Sequence, residues 1–322
     1  MFLVSKIYAY TQKVAEDFGY RHLMFKYQND PVDVIVISKK GEERIAKPLM
    51  LFCQGSLPQP VIKYDEKGLY GTLPFNEAPF LEEFHIVIFS TPFIPVIANV
   101  NKLGKDFMYF KDFEKEIPPK GYMERNYLDY YVFRNNFILK QLFKERWVRT
   151  SKLVVAGHSE GSSIAAKMAS LNKKITHLIY SGGNPYGRIA SMLASSKQLG
   201  KSEGKIIDYW KEAVANCNDT NTENGESFKA AYSFSAPQRD NLLTLAIPVL
   251  VTYGNKDCGS AYMDLFCIES IREKKKHITF IDYPELECHF TINSTPRDPE
   301  KHYWDEVASD WLQWLSVNQL DR

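Results

Sequence analysis

The sequence predicts an α/β domain built on a mostly parallel central sheet with helices against both of its faces. Three observations carry this expectation: short unbroken apolar runs recur along the chain, helical 3- and 4-residue spacings lie between them, and the two patterns alternate. The apolar runs occupy residues 49–53, 85–89, 152–156, 177–180, 247–253 and 278–281. Runs without polar alternation suit strands buried on both faces, as in a parallel sheet sandwiched by helices.

The elements follow in order. Leu23, Phe25 and Tyr27 alternate in the strand manner before Gln28-Asn-Asp-Pro31, and Val32-Asp-Val-Ile-Val-Ile37 follows, which predicts an antiparallel hairpin turning over residues 28–31. Leu128, Val132, Leu139, Leu142 and Phe143 keep helical spacing ahead of the run at 152, residues 164–168 continue it afterwards, and residues 261–271 precede the run at 278. Val307, Trp311, Trp314 and Leu315 form a last apolar stripe. Such alternation specifies right-handed βαβ crossovers and a doubly wound sheet. Residues 92–125 and 185–240 break the rhythm, being too long for simple connections and rich in polar and aromatic residues. The second holds helix-like pieces around 189–199 and 206–214 and reads as a cap or lid inserted into a single domain spanning residues 1–322.

Bulk properties narrow the function classes. With 40 Lys and Arg against 39 Asp and Glu, the formal charge is +1, so no global field draws the chain to nucleic acid or an anionic membrane. A small-molecule partner is expected. The five cysteines (Cys53, Cys217, Cys258, Cys267, Cys288) are odd in number, widely spaced and without a C-x-x-C pair, which argues against a disulfide framework or a zinc site and for a reducing compartment. The first residues lack the charged region, long apolar core and small-residue cleavage site of a signal peptide, and no apolar stretch reaches the roughly 18 residues of a membrane span. A cytoplasmic protein without membrane contacts is expected.

The chemistry lies in Gly157-His-Ser-Glu-Gly161, a G-x-S-x-G motif preceded by the strand-like Leu153-Val-Val-Ala156 and followed by the helical Ser162-Ser-Ile-Ala-Ala-Lys-Met168. A strand-turn-helix this tight needs glycines on either side and leaves Ser159 projecting above the sheet, at a helix N-terminus whose N–H groups and dipole favour a developing oxyanion. A serine hydroxyl needs an imidazole to take its proton. Of the seven histidines, His22, His85, His158, His177 and His277 read as structural. His289 follows the run at 278 and falls on the same sheet edge as Ser159, whereas His302, opening the last helix, is a fallback. Asp257, in Tyr253-Gly-Asn-Lys-Asp257, ends the preceding strand and would orient His289; its bland alternative is an ordinary N-cap aspartate. Asp264, inside a helix, and Asp282 fit less well.

The run at 49–53 leads into Gln54-Gly-Ser-Leu-Pro58 on the catalytic edge, so the backbone N–H groups of Ser56 and Glu160 are the expected oxyanion donors, with Gly55 permitting close approach. The Glu160 side chain reads as a favourable first-turn carboxylate. Cys53, Cys258 and Cys288 read as small packing residues.

The ordered set Gln54-Gly-Ser56, Gly157-His-Ser-Glu-Gly161, Tyr253-Gly-Asn-Lys-Asp257 and Tyr283-Pro-Glu-Leu-Glu-Cys-His289 resembles the α/β-hydrolase superfamily over roughly residues 20–317. The sequence is similar to bacterial esterases and to the catalytic domains of acylaminoacyl and dipeptidyl peptidases. That resemblance implies an eight-stranded, mostly parallel sheet, a cap after the sixth strand, and acyl transfer with a Ser159–His289–Asp257 triad and no metal or organic cofactor. Those peptidases carry an N-terminal propeller, which the residues ahead of the first strand could not form. The expected substrate is a small carboxylic ester or thioester. Two alternatives are a peptidase or amidase acting on short peptides, with Glu285, Glu287 or Glu160 holding an amino terminus, and a ligand-binding protein without turnover on the same fold. In the cap, Tyr186, Met192, Tyr209, Trp210, Tyr232 and Phe234 would either wall an acyl pocket or pack a local core; the lysines there argue against insoluble lipid.

Overall fold

Apolar runs that face helices on both sides can satisfy their backbone only by pairing with one another, and they do so in one large sheet. The structure, a computed structural model, describes residues 13–55, 57–70, 73–221, 226–287, 289–292 and 302–318. Its strands are β1 (Arg21–Tyr27), β2 (Asp30–Ile37), β3 (Lys47–Cys53), β4 (Ile62–Asp65), β5 (Gly68–Tyr70), β6 (His85–Phe89), β7 (Ile97–Asn99), β8 (Val148–His158), β9 (His177–Ser181), β10 (Val249–Gly254) and β11 (Ile278–Tyr283). Its helices are α1 (Ala78–Leu81), α2 (Lys120–Arg125), α3 (Leu128–Leu142), α4 (Glu160–Leu171), α5 (Arg188–Gln198), α6 (Gly204–Ala215), α7 (Phe228–Phe234), α8 (Arg239–Thr244), α9 (Ser260–Arg272) and α10 (Trp304–Val317).

The main sheet has eight strands in the order β1-β2-β6-β3-β8-β9-β10-β11. Only β1–β2 and β2–β6 pair antiparallel; from β6 to β11 every neighbour is parallel. The chain winds outward from β3 to β6, then returns to the other side of β3 to lay down β8, so the winding reverses between β3 and β8. Crevices at the carboxyl ends of strands flanking such a reversal are where ligands bind in open α/β sheets.

Alternate residues of each strand feed two cores. Leu49, Leu51, Leu153 and Val155 pack with Val132, Ile138 and Leu139 of α3, Ile164 and Met168 of α4 and Phe266 of α9. Met50, Phe52, Val154 and Ala156 pack on the opposite face with Phe80 of α1 and Val307, Trp311 and Trp314 of α10. Each of these strand residues is at most 5% exposed, which explains why the sequence shows no alternation there.

Two details depart from the sequence expectation. The hairpin turns over Gln28 and Asn29, both left-handed at φ 51° and 70°, while Asp30 and Pro31 belong to β2. Pro31 is tolerated because β6 pairs with β2 only from Val34 onward. A separate three-stranded sheet, β5-β4-β7, went unseen in the sequence, since its strands are only three or four residues long.

Candidate active site

β8 runs straight into α4 through a single residue, Ser159, whose φ of 55° and ψ of −125° lie outside the regions an L-residue prefers. The glycines around it are required. A Cβ on Gly157 would stand 2.2 Å from the carbonyl oxygen of Gly161, and one on Gly161 would stand 2.1 Å from that of Cys53. The strand end, the elbow and the end of β3 are therefore in backbone contact. Ser159 N donates to Ser181 O at the end of β9 (2.9 Å), and Ser162 Oγ donates to Ser159 O (2.5 Å), locking the elbow from both sides.

Gly55 lies beside Ser159, but a Cβ there would sit 3.8 Å from Ser159 Cβ, an ordinary contact. A side chain at position 55 would therefore leave the elbow undisturbed. Ser56, the expected donor of that loop, and Cys288 lie outside the described residues. The backbone N of Glu160 opens α4, directly after Ser159.

The loops bearing Asp257 and His289 are tied together. Asn255 N donates to Tyr283 O (3.0 Å), Lys256 N to Leu286 O (2.9 Å) and Glu285 N to Asn255 Oδ1 (2.9 Å). A Cβ on Gly254 would come within 2.1 Å of the Leu286 carbonyl oxygen, so β10 ends flush against the loop that carries His289. Asp257 Oδ1 accepts from Gly259 N (2.8 Å) at the start of α9, the cap-like use weighed from sequence. His289 is exposed, and its ring centroid is 5.7 Å from that of His158, the neighbour of Ser159. The elbow, the β10 loop and the β11 loop thus share one edge of the sheet.

Four of the other histidines have structural surroundings. His22 pairs with Asp33 (2.7 Å), His85 with Ser38 Oγ (2.8 Å) and Ile45 O (2.9 Å), and His177 with Thr176 Oγ1 and Asn318 O. His158 is buried edge-on against Trp304, with centroids 4.6 Å apart, and burial holds its pKa down to about 3, so it stays neutral. His302 bridges to Thr291 and is exposed. Asp264 accepts from Tyr253 OH (2.8 Å).

Several site residues escaped the sequence reading. Glu160 does more than favour a helix start: its Oε2 accepts from Arg188 Nη1 at 3.0 Å, and the same nitrogen meets Glu226. Burial pushes the Glu160 carboxyl up to about 7, against the opposing pull of Arg188. A hollow of about 130 Å³ opens between Ser159, Glu160, Asn184, Arg188, Ser191 and Phe234. On the other side of Glu160, beside Gln54 and Gly55, lies fully buried Arg134, which donates to Ser90 O (2.9 Å) and Asn135 Oδ1 and rests over the Tyr131 ring. A lone arginine carries no periodicity or motif, so neither position was legible. Of the aromatic residues expected near the site, Phe234 lines the hollow, whereas Tyr209 packs on Phe228 and Trp210 stacks on Tyr232.

No protein-family model matches the chain, and no curated protein matches it in sequence. Solved structures do. An acylaminoacyl peptidase of Pyrococcus horikoshii superposes with a TM-score of 0.58 at 14% identity, covering 94% of this chain and 42% of that one. The chain therefore spans less than half the length of that peptidase. Est1E of Butyrivibrio proteoclasticus, solved with ferulic acid bound, gives 0.56 at 13% identity over 92% of this chain and 98% of its own. A 2,6-dihydroxy-pseudo-oxynicotine hydrolase gives 0.54 at 15% identity, covering 94% and 70%. At such identities the likeness speaks for architecture alone, and with the sheet order and the elbow already described it identifies the fold of this chain as that of the α/β-hydrolase superfamily.

Proposed function

We propose that the protein is a serine hydrolase that cleaves a small carboxylic ester or thioester through an acyl-enzyme on Ser159. The observation that carries this reading is the elbow: a non-glycine residue held at φ 55° between two sterically obligatory glycines, at the point where the sheet's winding reverses. Strain of this kind costs on the order of 1–3 kcal/mol and persists where the surroundings over-determine it, as they do at functional sites.

In this mechanism Ser159 Oγ attacks the carbonyl carbon while His289 takes the hydroxyl proton, and Asp257 orients the imidazole and stabilises its charged form. The oxyanion is held by the backbone N–H of Glu160, at the positive end of α4, together with that of Ser56. Collapse expels the alcohol or thiol, protonated by His289, and water, deprotonated by His289, then releases the acid. These steps draw on side chains and backbone N–H groups of the chain and on water, and the substrate is a small molecule.

The test is hydrolysis of p-nitrophenyl esters beside aminoacyl anilides, with fluorophosphonate labelling read by mass spectrometry. Label on Ser159 and ester turnover that falls at least about 10³-fold in Ser159→Ala are expected. Anilide turnover in place of ester turnover would move the reading to a peptidase. Absence of both label and turnover would leave a binding protein.

A further inference from the structure

Arg188 is placed with care. Gly187, immediately before it, sits at φ 92°, and a Cβ there would come within 2.2 Å of the Ser235 carbonyl oxygen, so only glycine fits the joint. Ile189 N donates to Ser235 Oγ (3.1 Å), and Gln238 N and Arg239 N both donate to Pro185 O. The first turn of α5 is thereby fixed against the end of α7, with Pro185 ahead of it held to the start of α8, and Arg188 reaches from it to the residue next to the nucleophile.

Both carboxylate partners meet one nitrogen, Nη1. Among the described residues none accepts a hydrogen bond from Nε or Nη2, and 29% of the side chain stays accessible. That accessible part borders two hollows. One is the polar hollow of about 130 Å³ beside Ser159. The other, of about 430 Å³, lies between α5 and α6 and is lined by Met192, Leu199 and Ile206. Arg188 and Ser191 line both, so the small polar space and the larger apolar one adjoin at these two residues.

We propose, resting on the reading of Ser159 as nucleophile, that these hollows form a two-part acyl site. It takes acyl groups with a neutral hydrogen-bond acceptor a few bonds from the scissile carbonyl, which docks on the open edge of Arg188, and an apolar body beyond it in the α5–α6 cleft. Arg188 supplies a planar donor edge that suits a carbonyl, ether or hydroxyl oxygen. An acyl group carrying its own carboxylate is disfavoured, because Glu160 and Glu226 already flank the guanidinium and a third carboxyl would crowd them. A purely aliphatic acyl group leaves the buried donors without an acceptor, the kind of mismatch by which polar sites reject analogues.

The experiment compares p-nitrophenyl esters of 4-oxopentanoate, pentanoate and succinate (as the half-ester). The ketone is expected to exceed pentanoate at least about tenfold in kcat/KM, and the half-ester to fall below it. Arg188→Met should bring the ketone-to-pentanoate ratio to within about twofold of one, and Arg188→Lys, which keeps the charge without the fork, should give an intermediate ratio. A ratio near one in the parent protein, or one unchanged in Arg188→Met, overturns the proposal; if that variant does not fold, an unchanged ratio in Arg188→Lys does the same. A terminal phenyl group on the ketone should raise kcat/KM further, and Leu199→Asp should remove the gain; a gain that survives overturns the apolar half. Fluorophosphonate labelling of Ser159 reports separately on the hydrolase reading. If no ester turns over, calorimetric affinities of methyl 4-oxopentanoate and methyl pentanoate for the Ser159→Ala protein decide, equal values overturning the acyl site.

Discussion

Ser159 and its glycines bring two strict steric demands together in five residues, and Gly55 beside them is a glycine of another kind. Gly161→Ala would drive a Cβ to 2.1 Å from a backbone oxygen of β3, whereas Gly55→Ala would make an ordinary 3.8 Å contact. We expect the first to cost more than about 4 kcal/mol, or to abolish soluble expression, and the second less than about 1 kcal/mol, as read from urea midpoints. Glu160 and His158 give the same elbow a pH signature of opposite signs. The Glu160 carboxyl is raised to about 7 by burial, so the folded state holds its proton more tightly than the unfolded chain does, and stability falls as pH rises from about 4.3 toward 7. His158 is depressed to about 3, so its contribution is complete above about 6.5 and is lost as pH falls toward 3. Glu160→Gln should therefore gain stability relative to the parent between pH 5 and pH 8, by on the order of 2 kcal/mol, in denaturation series run at both pH values. A difference that does not change with pH would remove Glu160 from this role.

The inner strands β3, β6, β8, β9 and β10 were legible in the sequence because both faces are buried where their apolar runs lie, as in Leu49-Met-Leu-Phe-Cys53, whereas the edge strand β11 was legible from its β-branched and aromatic residues although Thr279 and Asp282 are exposed. The long helices were legible for a related reason: α10 buries Trp304, Val307, Ala308, Trp311, Trp314 and Leu315 along one side. The β4-β5-β7 sheet was not, because segments of three or four residues carry no readable period, and Ile62-Lys-Tyr-Asp65 looks like a loop. Which loop carries which catalytic candidate was legible from order along the chain. How the loops touch was not, since Gly254 against Leu286 is a contact between β10 and the segment beyond β11. That contact makes its own prediction. Gly254→Ala must displace the 284–287 turn and, with it, His289; turnover should fall at least about 100-fold and fluorophosphonate labelling should slow in parallel, while far-UV circular dichroism keeps the parent's sheet signal. Unchanged labelling would mean that the position of His289 does not depend on the β10 turn.

Across the whole molecule, stability should be distributed as unevenly as burial. α4, wedged against the sheet, buries eight of its twelve residues, from Gly161 to Ala169. In α5 the only buried residue is Ser196, and in α6 it is Ala213. With so little apolar surface removed from water, these two helices gain little from packing, and segments of low burial open at a small fraction of the global free energy. The polar link from the start of α5 to the elbow is the Arg188 bridge to Glu160, while the hydrogen bonds around Gly187 tie the same turn to Asn184 and Ser235. The sequence reads residues 185–240 as an insertion, but the bridge that ties Arg188 to Glu160, next to Ser159, arises only when distant residues meet. Hydrogen exchange read by mass spectrometry resolves the point. Amides of 188–215 should exchange at least about 100-fold faster than those of 148–171, and Arg188→Met should accelerate 188–198 further without altering 148–158. If α5 proves as protected as β8, or if the variant loosens both together, the helices between β9 and β10 belong to the same cooperative unit as the sheet, and access to Ser159 must be governed by something other than their opening.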